Sequence, residues 1–207
     1  MDSEVLDSEI SDPACGKYWE NRYKNGDTPW EKGRAHPELV RRLSIHSLPL
    51  VRRVLVPGCG YGHDARAFLK ITPPPLVMGL EISSTAVKAA KGLSVGESYY
   101  LGSILEPPEE LTGFFDFAFE HTCFCALPPR CRKRYFHGLR KLLTKDALVW
   151  FILYVDPDHE VGPPFGCSYS DFIELTHPFF RILEVSQVHE TFPGRENREM
   201  FSVLQAV

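Results

Sequence analysis

Val54-Leu-Val-Pro-Gly-Cys-Gly-Tyr-Gly62, followed directly by His63-Asp64, decides the fold. An apolar run leaves Arg53, reaches Pro57, and opens into a loop with glycines at 58, 60 and 62. Asp64-Ala-Arg-Ala-Phe-Leu69 behind it has helical spacing, so the order is strand, glycine-rich turn, helix. Glycines at such a turn let backbone approach a ligand where a side chain would block it. Downstream, Leu76-Val-Met-Gly-Leu80 reads as a second buried strand that ends in Glu81. An acid at that tip, roughly twenty residues past the glycines, is placed to accept hydrogen bonds from ribose hydroxyls. Its removal is expected to cost ligand affinity and not the fold. Together these features describe a nucleoside pocket at the carboxyl ends of parallel strands.

The glycine spacing falls one residue short of the dinucleotide pattern G-x-G-x-x-G. A dinucleotide would also place its pyrophosphate at the helix start. Here the helix opens with His63 and Asp64, and an aspartate there repels phosphate. The reading therefore moves to a nucleoside without phosphates, S-adenosyl-L-methionine, with S-adenosyl-L-homocysteine as its product.

Outward from this centre, the remaining elements alternate. Pro37 to Leu43 is an amphipathic helix before the first strand, and Thr72-Pro-Pro-Pro75 is a stiff connector that cannot be helix interior. Ser83-Ser84 caps a strong helix former, Thr85 to Lys91. Glu97 to Leu101 is a short third strand, followed by Ser103 and Ile104 at its tip. Ser103 either meets an adenine amino group or begins a loop. Phe114 to Phe119 is an aromatic fourth strand, with Glu120-His121 leaving its carboxyl end. Pro128-Pro129 starts a basic helix to about Leu143, and Ala147 to Tyr154 is apolar throughout, as a central parallel strand requires. Asp156 to Pro164 reads as a loop carrying Asp158-His159, then comes a helix at Ser170 to Leu175. Arg181 to His189 and Met200 to Val207 close the chain as an antiparallel pair. The expectation is one α/β domain: a Rossmann-like, doubly wound sheet of about seven strands with a C-terminal antiparallel hairpin. Residues 18–207 form it, and 1–17 are an acidic, flexible N-terminus.

Before the first strand, Trp19, Tyr23 and Trp30 lie within one short stretch. They form either a hydrophobic lid on the core or a wall that closes on a ligand. Aromatic faces attract a sulfonium as they attract other cations. Arg34 and His36 follow; they either supply positive character at the acceptor mouth or are surface charge, the simpler role for either one alone.

The totals exclude several classes. With 207 residues and 43% apolar content the chain can bury a core, and no run approaches a membrane span. A net charge of −4 gives no field for nucleic acid, and the basic run Arg130-Cys-Arg-Lys-Arg134 reads as a solvated helix face. The acidic start, Met1 to Glu9, lacks the regions of a signal peptide, so the expected setting is cytoplasmic and the expected state a monomer. Six cysteines read as buried small hydrophobes. Cys123-x-Cys125 is placed at a strand end with both thiols on one side, and no metal-ligand spacing accompanies it.

Trp19 to Trp30, Pro57-Gly-Cys-Gly60, Gly79-Leu-Glu-Ile-Ser83, Phe124-Cys-Ala-Leu-Pro-Pro129 and Gly162-Pro-Pro164 together resemble the thiopurine S-methyltransferase family, on the branch of plant-type thiol and halide methyltransferases. The resemblance spans nearly the whole chain. It implies the class I methyltransferase fold, S-adenosylmethionine as cofactor, and a small thiol, sulfide or halide as acceptor. Halide or thiocyanate methylation and a non-catalytic binding protein of the same fold are the alternatives. It also implies the cofactor residues: Trp19, Tyr23, Trp30, Gly58, Glu81, Ser103, Ile104 and His121. Departures cluster at the acceptor side. Tyr23 replaces the usual Trp, Ser103 the usual Asp, Glu120 the usual Asp, Phe165 the usual Tyr, and His121 stands where that branch has Tyr. The reaction would be an in-line displacement by an acceptor that arrives as an anion. It needs no obligatory catalytic base, and His121 is the candidate helper.

Overall fold

The computed structural model describes residues 10–45, 51–155 and 162–207. The elements, in chain order, are α1 Gly16–Lys24, α2 Pro37–Ile45, β1 Arg53–Pro57, α3 His63–Phe68, β2 Leu76–Glu81, α4 Ser84–Gly92 and β3 Ser98–Leu101. Then come β4 Phe115–His121, α5 Cys123–Ala126, α6 Arg132–Leu142, β5 Leu143–Tyr154, α7 Tyr169–Thr176, β6 Phe180–Gln187 and β7 Glu199–Ala206. Seven strands form one sheet in the order β3-β2-β1-β4-β5-β7-β6. The first five are parallel, and β7 runs antiparallel to both β5 and β6. The strand order reverses at β1, so the carboxyl ends of β1 and β4 border a crevice, where ligands bind in open α/β sheets.

Burial on both faces explains the unbroken apolar run of β5. Val149, Phe151 and Leu153 join Tyr135, Phe136 and Leu139 of α6 and Phe172 of α7 in one layer. Trp150 and Ile152, with Phe117 and Phe119 of β4, join Leu39 of α2, Phe68 of α3 and Val87 of α4 in the other. Ser83 caps α4 as its spacing requires, its side chain accepting from the Ala86 amide at 3.2 Å.

Four expectations change. Residues 10–17, assigned to a flexible tail, are tied to the domain: Asp12 pairs with Arg130, and Trp19 Nε1 donates to the Pro13 carbonyl at 2.8 Å. Cys123 and Cys125 lie in the short helix α5 instead of on a strand, because Thr122 adopts φ 68° and turns the chain at the end of β4. The basic run is not wholly solvated: Arg132 is buried, with its guanidinium 5.5 Å from the Phe124 ring centre and donating to the Gly166 carbonyl. His36, read as surface charge, is fully buried. The N-terminal acidic stretch up to residue 9 and Asp158-His159 lie outside the described residues.

Candidate active site

A cavity of about 280 Å³ opens at the carboxyl ends of β1, β2 and β4. All eight residues singled out from sequence line it: Trp19, Tyr23, Trp30, Gly58, Glu81, Ser103, Ile104 and His121. Packing adds a second demand on the glycines of the β1 turn, of which Gly58 and Gly60 line the cavity. A Cβ on Gly58, which sits at φ +57°, would lie 2.7 Å from the Cβ and Sγ of Cys123. A Cβ on Gly62, at φ +79°, would lie 1.9 Å from the Tyr99 hydroxyl oxygen. Both glycines make room for the protein's own side chains.

Glu81 braces that turn. One carboxylate oxygen accepts from the Gly60 amide at 3.0 Å and the other from the Ser83 amide at 2.8 Å. Burial raises the Glu81 carboxyl above its ordinary value, against the lowering by these amides. A carboxylate has about four lone-pair sites; the Ser83, Gly60 and Ile82 amides all act on this one, and the acceptor capacity that remains faces the cavity, as the polar edge of a ribose requires. Ile82, Ile104, Leu105 and Leu127 supply apolar wall beside it. Ser103 begins a turn, its Oγ accepting from the Leu105 amide at 3.1 Å, which leaves its hydroxyl proton free to donate.

The aromatic strap closes one side. Trp19 and Trp30 meet edge-to-face with centroids 5.4 Å apart, and Trp30 Nε1 donates to the buried Tyr23 hydroxyl at 3.2 Å. The Arg22 guanidinium lies 4.5 Å from the centre of the Trp30 ring. Two acids fasten the strap to the sheet domain. Glu31 pairs with His63 at 2.9 Å. Glu20 accepts from the hydroxyls of Ser83 (2.7 Å), Ser84 (3.1 Å) and Thr85 (2.7 Å) and from the Thr85 amide (3.0 Å). Burial pushes the Glu20 carboxyl up, but those four bonds outweigh it and bring it down to about 2. Glu20→Ala is expected to loosen the strap and speed proteolytic cleavage at Asn25-Gly26 several-fold. Equal cleavage rates in variant and wild type would refute this anchoring role.

At the opposite end stand residues that share no local sequence signal. His121 ends β4, and its Nδ1 lies 3.1 Å from Asp64 Oδ2. Asp64 Oδ1 accepts the His36 amide at 2.7 Å. Burial would raise the Asp64 carboxyl, but His121 and the His36 amide overcome it and hold it low. The His36 ring packs edge-on against His121, centroids 4.4 Å apart, and Phe192 stacks on His121 at 6.1 Å. Phe192 and Arg195 line the cavity from the connection between β6 and β7, and Arg34 lies 5.7 Å from the Phe192 ring centre. Asp64 was visible in the opening stretch, but only as a phosphate-repelling group.

His36, His121 and Glu199 bring three possible metal ligands within 4.8 Å of one another. The hydrogen bonds speak against an ion. The Glu38 amide donates to His36 Nδ1 at 3.2 Å, so the ring proton sits on Nε2, which faces Glu199 Oε2 at 3.1 Å. A ligating Nε2 would need that proton on Nδ1, pointing at an N–H. Burial, and the repulsion that a second imidazolium beside it would meet, lower the His36 pKa, consistent with a neutral ring.

Of the cysteines that line the cavity, burial raises the Cys59 and Cys123 thiols and pushes Cys125 up to about 12, which disfavours each as a nucleophile. Beneath the site, buried Glu120 accepts from the Phe124 amide at 2.7 Å and from the Tyr135 hydroxyl, holding the turn after His121. Burial dominates and pushes Glu120 from 4.5 up to about 7. A carboxyl raised in the fold contributes stability that is full below 4.5 and is lost as pH rises through about 7. Glu120→Gln should remove that part of the pH dependence, on the order of 3 kcal/mol at most. Denaturant titrations at pH 5 and pH 8 check it, and identical pH slopes in both proteins would contradict it.

The family model for thiopurine S-methyltransferase (TPMT) matches residues 15–205. The chain belongs to the thiopurine S-methyltransferase family. Thiocyanate methyltransferase 1 of Arabidopsis thaliana is 34% identical over 189 residues, covering 87% of this chain and 81% of that protein. Probable thiol methyltransferase 2 of the same plant is 33% identical over 168 residues, covering 77% and 71%. Among solved structures, the 1,6-didemethyltoxoflavin-N1-methyltransferase of Burkholderia thailandensis, which holds S-adenosylhomocysteine, superimposes with a TM-score of 0.68 at 14% identity, covering 100% of this chain and 91% of that one. The fold is thus the class I methyltransferase fold, and family membership makes this chain an S-methyltransferase by class. No helix among the described residues is long and apolar enough to cross a membrane.

Proposed function

We propose that this member of the family moves the methyl group of S-adenosylmethionine to the sulfur of a small thiol or sulfide. The carrying observation is one cavity with two unlike ends: the buried Glu81 carboxylate at the tip of β2, and the His121, Phe192, Arg34 and Arg195 cluster. When bound, the cofactor supplies an electrophilic methyl carbon on a sulfonium. Glu81 would hold the ribose hydroxyls, and Ser103 with Ile104 the adenine. Gly58, which lines the cavity, would border the cofactor at the first turn. Trp19, Tyr23 and Trp30 would present aromatic faces to the cation and keep water from it. Positioning and desolvation of the two reactants are the first part of the protein's work. A cavity this small, walled by its own strap, favours a small acceptor over nucleic acid, a membrane lipid or a protein. The reading has the chain act as a cytoplasmic monomer.

One observation favours a second acceptor class. Arg34 and Arg195 at the mouth would draw in anions, and a relative is named a thiocyanate methyltransferase. Thiocyanate and iodide are therefore acceptors to test beside thiols. Labelled S-adenosylmethionine offered with bisulfide, methanethiol, aryl thiols, thiopurines, iodide and thiocyanate decides. Label on sulfur acceptors supports the reading, and label on none of the six overturns it.

A further inference from the structure

The two stacked histidines carry their protons differently. His36 spends its ring proton on Glu199 and its lone pair on the Glu38 amide, so it has nothing left to offer. His121 is the reverse case. A carboxylate only accepts, so the proton of neutral His121 is on Nδ1, facing Asp64. Its Nε2 lone pair has no partner among the described residues, and the ring lines the cavity with 12% of its side chain exposed. Packing between His36 and Phe192 fixes the plane of the ring. Asp64 is in turn held by the His36 amide. This is an oriented base behind an orienting carboxylate, the arrangement that activates nucleophiles in other enzymes.

We propose that His121, oriented by Asp64, takes the proton from a thiol acceptor that enters neutral, so that protonated thiols are this chain's preferred acceptors over permanently ionised ones. The inference rests on the methyltransferase reading above. The S–H bond breaks and its proton goes to His121 Nε2. The electron pair left on sulfur forms the new S–CH3 bond as the methyl group's bond to the donor sulfonium breaks, that pair staying with the departing thioether. The imidazolium then gives its proton to solvent. The positive charge it carries meanwhile faces Asp64 of α3, Glu199 of β7 and Glu120 of β4 on one side of the balance. Arg195, Arg34 and neutral His36 are on the other. Asp64 is a positioning residue: it sets which nitrogen is free.

Two measurements on the full chain test this. The first is the ratio of kcat/KM for an alkyl thiol to that for iodide, followed with pH. In the wild type the thiol profile should break at the same pH for thiols of different acidity. Below that break the thiol-to-iodide ratio falls. In His121→Asn and in His121→Tyr the ratio at pH 7 should drop by about 100-fold, the usual scale of a positioned base. The loss should shrink at high pH, and for acidic aryl thiols, where the acceptor ionises without help. Asp64→Asn should behave alike, because its amide group can donate to Nδ1 and place the ring proton on Nε2. The second measurement needs no turnover. An aryl thiol whose thiolate absorbs at longer wavelength is titrated against pH in the presence of the protein and S-adenosylhomocysteine. Wild type should ionise the bound thiol at lower pH than free thiol, and His121→Asn should not. An unmoved activity ratio, or the same bound-thiol titration in wild type and variant, overturns the proposal. If wild type methylates nothing in the panel, the function reading fails instead, while the thiol titration still reports on the dyad.

Discussion

Glu81→Ala lowers affinity for S-adenosylmethionine by at least about 100-fold, since two hydrogen bonds to a charged group contribute roughly 1.5 to 3 kcal/mol each before compensation. The sequence alone casts Glu81 as a ligand contact with no part in the fold. The structure adds that both carboxylate oxygens already brace backbone, at the Gly60 and Ser83 amides. Removing the side chain leaves those amides without partners, which costs the fold. It also removes a buried charge, which relieves it. The two effects oppose each other, so the stability change should stay within about 2 kcal/mol and the affinity loss should stand clear of it. Glu81→Gln, which keeps the volume and one acceptor oxygen, should fall between. The carboxyl is raised by burial, so cofactor affinity should increase as pH rises through its titration and the ribose hydroxyls gain a full anion to donate to. Calorimetric titration of the folded variants measures all of this. Unchanged affinity in Glu81→Ala would remove Glu81 from the ribose site.

What could be read in the sequence was local. The strand-turn-helix order around Gly58, the acid at the tip of β2, the Ser83 cap and the aromatic spacing of the strap each declare themselves within a short window. The acceptor end could not be read that way. His36 meets Glu199 across 163 positions, and Asp64 meets His121 across 57. Nothing in the local pattern marks His36 as buried. It is inside because its imidazole joins the start of α2 to the start of β7. Cys123 and Cys125 look like a strand because the apolar run of β4 continues into them. The break lies at Thr122, a non-glycine residue at positive φ, which propensity disfavours and the surrounding turn imposes. The β1 glycines are legible from their spacing, but one reason for them is not: besides lining the cavity, the turn leaves space for Cys123 and Tyr99, which only the packing reveals.

Packing of that kind makes Gly138 the position where one methyl group should do most damage. It sits inside α6, where glycine is about 1 kcal/mol worse than alanine, so propensity alone makes Gly138→Ala stabilising. The structure reverses the sign. A Cβ at 138 would lie 1.9 Å from the Ile104 carbonyl oxygen, a backbone atom that cannot rotate away. The helix or the loop has to move, and overpacking of this sort costs about 1 to 3 kcal/mol, sometimes more. The loop is the adenine side of the proposed cofactor site: Ser103, Ile104 and Leu105 all line the cavity, and Arg134 of the same helix donates to the Leu105 carbonyl at 3.0 Å. Gly138→Ala should therefore lower the melting temperature by several degrees and weaken S-adenosylhomocysteine binding by about tenfold, although residue 138 does not line the cavity. Gly92, at the end of α4, has nothing within 4 Å of its would-be Cβ and no positive φ. Gly92→Ala should accordingly stabilise, by about 0.4 to 1 kcal/mol, with cofactor affinity unchanged. Thermal melts and calorimetry on the pair separate helix propensity from contact. If both substitutions raise stability, the close approach of α6 to the Ile104 loop does not limit this fold, and the adenine wall is not held by it.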